Sequence, residues 1–540
     1  MGAALTRDPD LDLVETIDRA MQAGRGPLMV LDPESRQWQQ RPWTDVRDLG
    51  LRIATRVLDA GSGPRQPVGI VGETTAEVVA AVFGCWAAGR PISIMPMPVR
   101  GSDRRLWSES TMRRLRALDC GMVLAHGPVL ELLRGTAGHV PVHDLAQVAG
   151  WRWDSEASLV RVPSDSPAVL QGTAGSTGTP RTAVLSHNAV LNHFWGLYDR
   201  TRTGSDDVLC SWLPMYHDMG LMLTVSGMAA GLATWLAPTS AFARMPFEWL
   251  NWLSTSSATV TAAPNFAYNL IGRYARRTEN VELGALRYMI NGGEPVDCDG
   301  MMRFAGRLQR FGLAPDAPAP AYGLAEATCA VTAPDPGLGV RIDEAAIAEN
   351  GATTTIRRHA LLGRPLNGME VRIAEPPMKV PVVTGRDIGL VEIRGHSIFS
   401  GYADDVATVG TADWTPTGDI GYLSGEELVV CGRSKEVITV AGHNVFPQDV
   451  ERVAALIPGV RPGGVVATMA AQRTEVRTER LLLVAEFSGK RVTGTEDRII
   501  AAVMAECGVV PGKVVLVKPG ELPRTTSGKL RRLEVSTWFS

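Results

Sequence analysis

The chain has 540 residues, 45% of them hydrophobic and 21% charged. That length exceeds what a single core supports, so two or more domains are expected, and the composition excludes a disordered chain. The 54 Lys and Arg against 57 Asp and Glu leave a formal charge of −3, so no broad basic field calls for nucleic acid or an anionic membrane.

The N-terminus lacks a basic start followed by an apolar core and is no secretory signal. The seven cysteines are scattered, with no CxxC spacing, which predicts free thiols in a cytoplasmic protein without a zinc site. Residues 11–60 read as helical segments around a strand pair near 28–43. Residues 68–71 read as a buried strand, followed by a helix over 75–88. Val78, Val79, Val82 and Trp86 stand at helical spacing there, with Gly89 as the stop. Residues 91–96 are the next strand, and the β-α-β cadence recurs to about 238, which predicts parallel α/β sheets.

At 171–191 the chain reads QGTAGSTGTPRTAVLSHNAVL. Glycine lets a ligand approach the backbone, and Ser and Thr add hydroxyls beside exposed N–H groups, so a strand followed by this loop suits phosphate oxygens. Ser186 reads as the N-cap of the helix behind it. A Walker A pattern is absent, and such a loop alone is equally a surface turn. The uncharged stretch 220–238 is near the length of a spanning helix, but it is rich in glycine and lacks flanking Lys or Arg. A buried helix of a large α/β domain is expected, with no transmembrane segment.

From about 363 short strands separated by Gly and Asp turns predict a β-rich subdomain over 363–431. The expected fold class is α/β. A large N-terminal domain of parallel sheets over 1–431 carrying that subdomain, a hinge at 432–435 and a small mobile α+β domain over 436–540 are expected.

Six further stretches follow the loop in order. They are SWLPMYHDMG (211–220), TAAPNFAY (261–268), NGGEPV (291–296), YGLAE (322–326), TGD (417–419) with GRSK (432–435), and LPRTTSGK (522–529). Each is short, but the ordered set resembles the adenylate-forming superfamily of acyl-CoA synthetases, adenylation domains and luciferases. The wording is closest to the fatty acyl-AMP ligases, which hand acyl adenylates to acyl carrier proteins. Within that branch it is similar to ligases that supply the lipid tail of mycobacterial siderophores (mycobactins).

That resemblance implies ATP, magnesium, a medium-to-long-chain fatty acid and an acyl carrier protein. In it Thr173, Gly175, Ser176, Thr177 and Gly178 hold the phosphates. Tyr322 faces adenine, with Asn291, Gly292, Gly293 and Glu294 on its other side. Asp419 accepts from the ribose hydroxyls, which suits an ionised carboxylate with several lone-pair sites, and Arg433 reaches ribose or phosphate. Glu326 is the hard oxygen ligand for magnesium. Lys529 is the cation for the transition state, and Lys435 is the hinge residue. His217 is implied at the mouth of the acyl site, orienting the carboxylate, which at neutral pH is already ionised and needs no base. Trp212, Met215, Met219, Phe266 and Tyr268 are candidates for a dry acyl cleft; ordinary core is the alternative for each.

Three departures stand out: Ala174 where relatives have Ser, Arg181-Thr182 for the frequent Lys-Gly, and Ala325 for Thr before the glutamate. The polar stretch 341–358 sits where acyl-AMP ligases carry an insertion, but it is short. An acyl-CoA synthetase, or a non-catalytic acyl- or nucleotide-binding protein of the same fold, remains the alternative on sequence.

Overall fold

A computed structural model describes residues 6–60, 65–98, 102–151, 159–173, 181–349, 352–376, 380, 383–405, 409–440, 443–470, 481–489, 494–524 and 530–539. The strands β1 (Pro27–Leu31) and β2 (Trp38–Pro42) pair antiparallel, flanked by the helices Leu13–Ala23 and Trp43–Asp59. Next come β3 (Val68–Val71), β4 (Ile92–Met95), β5 (Met122–Ala125), β6 (Val142–Asp144), β7 (Pro167–Gly172) and β8 (Thr182–Ser186). They form one sheet in the order β6-β5-β3-β4-β7-β8, parallel except for the β7–β8 hairpin.

The helix Ala76–Ala87 shows why the layers stack. Thr75 caps it, accepting from the Val78 N–H at 3.3 Å, and every residue but Glu77 is buried. A helix that is apolar all round has to lie between layers. Its Trp86 reaches across to donate to the Ala168 carbonyl at 2.9 Å.

The second sheet adds β9 (Val208–Ser211), β10 (Ala233–Leu236), β11 (Val260–Ala263), β12 (Tyr288–Asn291) and β13 (Pro318–Pro320), ordered β13-β12-β11-β9-β10-β1-β2. All neighbours but β1–β2 run parallel. The stretch expected as one buried helix divides here. The helix Asp218–Ala230 ends at Gly231, in the left-handed region at φ 62, and the chain turns into β10. Among the described residues no helix is long and apolar enough to cross a membrane.

Further on, β14 (Tyr322–Gly323) and β15 (Ala330–Ala333) pair, β16 (Ile342–Glu349) and β17 (Ala352–Ala360) form a hairpin, and β18 (Arg364–Pro365) joins β15. The hairpin occupies the stretch read as a short insertion. Four antiparallel strands then follow in order: β19 (Met369–Ala374), β20 (Gly389–Gly395), β21 (Thr415–Ser424) and β22 (Glu427–Arg433). The last part has β23 (Ile438–Val440), β24 (His443–Val445), β25 (Val460–Met469), β26 (Leu481–Phe487) and β27 (Lys513–Val517), with helices Pro447–Ala455, Thr495–Cys507 and Arg532–Phe539. It packs a core of its own around Val450, Leu483, Ile499 and Val503. The whole is a mixed α/β fold with a large parallel-sheet part and a smaller C-terminal part.

Candidate functional site

Four of the sequence motifs leave the carboxyl ends of four adjacent strands. SWLPMYHD follows β9, TAAPN ends β11, NGGEP follows β12 and YGLAE follows β13, in the sheet order β13-β12-β11-β9. Side-by-side parallel strands open their loops on one edge, which is where open α/β sheets take ligands.

Hydrogen bonds fasten these loops to one another. Asn265 Oδ1 accepts from Asn291 Nδ2 at 3.1 Å and from the Asp297 N–H at 3.0 Å. Glu294 Oε1 accepts from the Phe266 N–H at 2.7 Å, and the Tyr268 hydroxyl donates to the Ile290 carbonyl at 2.8 Å. Gln171 Nε2, at the end of β7, donates to the Tyr216 carbonyl at 2.8 Å and so ties the glycine loop's strand to the YHD turn. Asn291 is fully buried beneath the edge, Gly292 is buried, and Gly293 is exposed at φ 80.

The predicted ribose and adenine residues do meet. The Tyr322 hydroxyl donates to Asp419 Oδ2 at 2.6 Å, while Arg433 Nε stands 3.3 Å from Oδ1. The register of β21 and β22 puts Asp419 opposite Arg433. Burial raises the Asp419 pKa, against the pull of Arg433 and Tyr322. Burial and the carboxylate together keep the Tyr322 phenol protonated, so it remains a donor. Ser434 Oγ donates to the Gly418 carbonyl at 3.0 Å, and Lys435 is exposed in the 3-10 turn Ser434–Glu436 beside this cluster.

Glu326 is half-buried and accepts from the Tyr402 hydroxyl through Oε1 at 2.7 Å; its other oxygen has no partner among the described residues. The Arg181 guanidinium carbon sits 3.3 Å from the Tyr402 ring centroid, so a cation, an aromatic ring and a carboxylate stand in line. Just beyond, Thr328 holds φ 66 and ψ −49 with its hydroxyl donating to the Ser397 carbonyl at 2.7 Å. A β-branched residue there costs about 1–3 kcal/mol, a price that fixes the path of the YGLAE turn.

His217 precedes the helix Asp218–Ala230 as its N-cap residue, its ring 4.8 Å from that of Tyr216. Nearby His193 is buried, and burial pushes its pKa down to about 4. Its Nε2 accepts from the Ala330 N–H at 2.9 Å, which fixes the neutral tautomer protonated at Nδ1. Of the acyl candidates, Trp212 stacks flat on Phe242 with centroids 3.5 Å apart, and Phe266 meets Trp212 edge-on at 6.2 Å. Met215 and Tyr268 are buried, whereas Met219 and Phe266 are half-buried. Tyr268 lies deeper, edge-on to Phe304 at 5.1 Å.

Thr173 closes the neck of the glycine loop, its N–H and Oγ1 donating to the Arg181 carbonyl at 2.9 and 3.1 Å. Gly175, Ser176, Thr177 and Gly178 lie outside the described residues, as does Lys529. The residues bracketing Lys529 are described: Arg524 and Leu530 form an antiparallel bridge, and Arg524 Nη2 donates to the Gly463 carbonyl at 2.6 Å. Burial lowers the Arg524 pKa, opposed by the carboxylates of Glu486 and Glu294. Tyr402, His193 and Arg114 had no local sequence signal; Asn265 lay inside a quoted motif without a role.

The AMP-binding enzyme pattern matches residues 21–403. The ligase Rv1013 of Mycobacterium tuberculosis is 32% identical over 518 residues, covering 91% of this chain and 93% of its own. The long-chain-fatty-acid–AMP ligase FadD26 of Mycobacterium marinum is 32% identical over 413 residues, 68% of this chain and 69% of its own. Among solved structures, one from a study of fatty acyl-adenylate ligases of E. coli and L. pneumophila superposes with a TM-score of 0.85 at 27% identity, covering 98% of both chains.

Proposed function

Because this chain belongs to the AMP-binding enzymes, we propose that it activates a medium-to-long-chain fatty acid with ATP and passes the acyl group of the adenylate to the thiol of an acyl carrier protein, releasing AMP. The observation that carries the reading is the meeting of Tyr322, Asp419 and Arg433 beside Glu326, at the edge where four parallel strands end. A fatty carboxylate oxygen bonds to the α-phosphorus as the bond to the β-phosphate breaks, and the electron pair leaves with pyrophosphate. Two anions have to meet, so catalysis consists of positioning and of neutralising charge.

In this reading Asp419 accepts from the ribose, Tyr322 offers its face to adenine beside Gly292, Gly293 and Glu294, and the loop 173–179 cradles the outer phosphates. Trp212, Met215, Met219 and Phe266 wall the acyl chain, and His217 orients its carboxylate. Glu326, with one oxygen held by Tyr402, fits a magnesium ion that lowers the charge on the phosphates. Lys529 enters for adenylation, and rotation of residues 436–540 about the hinge 432–435 at Lys435 withdraws it before the thiol arrives. The resemblance, within the fatty acyl-AMP ligases, to the ligases of mycobactin assembly supports a siderophore lipid tail as the destination. The test is pyrophosphate release with ATP across fatty acids of rising length. Release that depends on a fatty acid is expected; none at any length, or release without acid, overturns the reading.

A further inference from the structure

Among the described residues, Arg114 at the neck of the glycine loop has no carboxylate partner. Arg114 belongs to the helix Arg104–Ala117, whose Thr111, Met112 and Leu115 are buried in the core. Its guanidinium is turned onto the last paired residues of the β7–β8 hairpin, Gly172 and Thr182. A Cβ on Gly172 would lie 2.2 Å from Arg114 Nη2 and 3.1 Å from Cζ, so the guanidinium rests directly against the glycine backbone. The single hydrogen bond of Arg114 among the described residues is a long one, 3.5 Å from Nη2 to Thr182 Oγ1. Burial lowers its pKa and no neighbouring anion offsets that.

Two other partly buried arginines of the large domain have close partners. Arg287 holds Asp207 at 2.6 Å, and Arg200 spans the carbonyls of Ala333, Arg364 and Pro365. A guanidinium taken partly out of water with most of its five donors open lacks its anion. Thr182 Oγ1 is the hydrogen-bond partner of Arg114 among the described residues and sits next to Arg181 at the neck.

We propose that Arg114, at the Gly172–Thr182 end of the hairpin, contacts the β- and γ-phosphates of ATP and holds the leaving pyrophosphate. The inference rests on the adenylating function proposed above. As the α-phosphorus–oxygen bond breaks, negative charge gathers on the departing bridge oxygen, and a planar fork of donors pairs with pyrophosphate oxygens better than a point charge. No proton changes hands.

The test is fatty-acid-dependent ATP–pyrophosphate exchange by the full-length enzyme and its Arg114→Gln, Arg114→Lys and Thr182→Val variants. In Arg114→Gln the KM values for pyrophosphate and ATP should rise on the order of tenfold to a hundredfold, as for loss of a charge-assisted pair. The KM for fatty acid and the consumption of supplied acyl adenylate should stay at wild-type values. Arg114→Lys should recover part of the loss, and Thr182→Val should move the pyrophosphate KM less in the same direction. Unchanged pyrophosphate KM in Arg114→Gln, or an equal rise in every KM with a lowered Tm, overturns the role. Absence of exchange in the wild type would instead overturn the adenylating function, so the two failures are distinguishable.

Discussion

The strand-end loops and the C-terminal part hold their functional groups by different physics. Around the parallel sheet the motifs are pinned largely through main-chain groups, as by Gln171 on the Tyr216 carbonyl, Tyr268 on the Ile290 carbonyl and Asn265 under the Asp297 N–H. Beyond β22 the fastenings are ion pairs. Arg532 joins Glu436 at 3.1 Å and Glu451 at 2.9 Å, and the buried Arg357 of β17 pairs with Asp449 of the helix Pro447–Ala455. Hydrogen bonds to a main chain that cannot move fix one geometry. Of these pairs Arg357–Asp449 joins the two parts, while the Arg532 pairs hold the C-terminal part together as a unit. The loops suit a ligand held in one pose, and the C-terminal part suits a group that enters and leaves.

The sharpest way to break that comparison is Lys529→Ala. Adenylation should fall by roughly a thousandfold, as when a group serving only the transition state is removed, while ATP affinity stays within about threefold. Near-normal pyrophosphate release by the variant contradicts the division. Next is Lys435→Pro, which stiffens the exposed turn at the proposed hinge. Adenylation within about twofold of wild type, with acyl transfer reduced on the order of a hundredfold, is expected for a blocked rotation. Equal loss of both steps means misfolding.

A smaller effect is expected at the fixed side. Asp419→Asn should weaken ATP binding about tenfold without lowering Tm, because it removes a buried charge along with an acceptor. Since the Asp419 pKa is raised, wild-type ATP affinity should start to fall, as pH drops, at a higher pH than an ordinary carboxylate would give. The Asn variant should lack that limb, and an identical pH profile in both would remove Asp419 from the ribose role. The smallest effect is at His193. Its folded pKa of about 4 lies below the ordinary 6.5, so the unfolded chain binds more protons between those values and stability is lost as pH falls through them. From pH 7 to pH 6 the loss should be about 0.7 kcal/mol, and His193→Gln should flatten the denaturant-midpoint slope. Parallel slopes would contradict it.

Much of the frame was legible from local chemistry. The Thr75 and Ser186 caps, the Gly89 stop and the run of parallel strands are each encoded within a few residues. Strand β8 was not, because TAVLS runs straight into a strong N-cap and was absorbed into the loop-to-helix reading. Gly231 inside an apolar stretch was likewise read through, although it ends the helix. The resemblance singles out Tyr322, Asp419 and Arg433 one by one, but their contacts with one another come only from the structure. Tyr402 and Arg114 were not legible, for their partners lie 76 and 68 positions away and no spacing rule links them. An isolated tyrosine or arginine carries no period.

The adenylate proposed to form at the strand ends has two candidate acceptors, a carrier protein and CoA. The most direct measurement offers one purified enzyme, with ATP and a fatty acid, either CoA or a phosphopantetheinylated acyl carrier protein, and follows the acyl group. The account predicts acyl-adenylate that persists with CoA and is consumed on addition of the carrier. Rapid formation of acyl-CoA, with the carrier left unloaded, would contradict it.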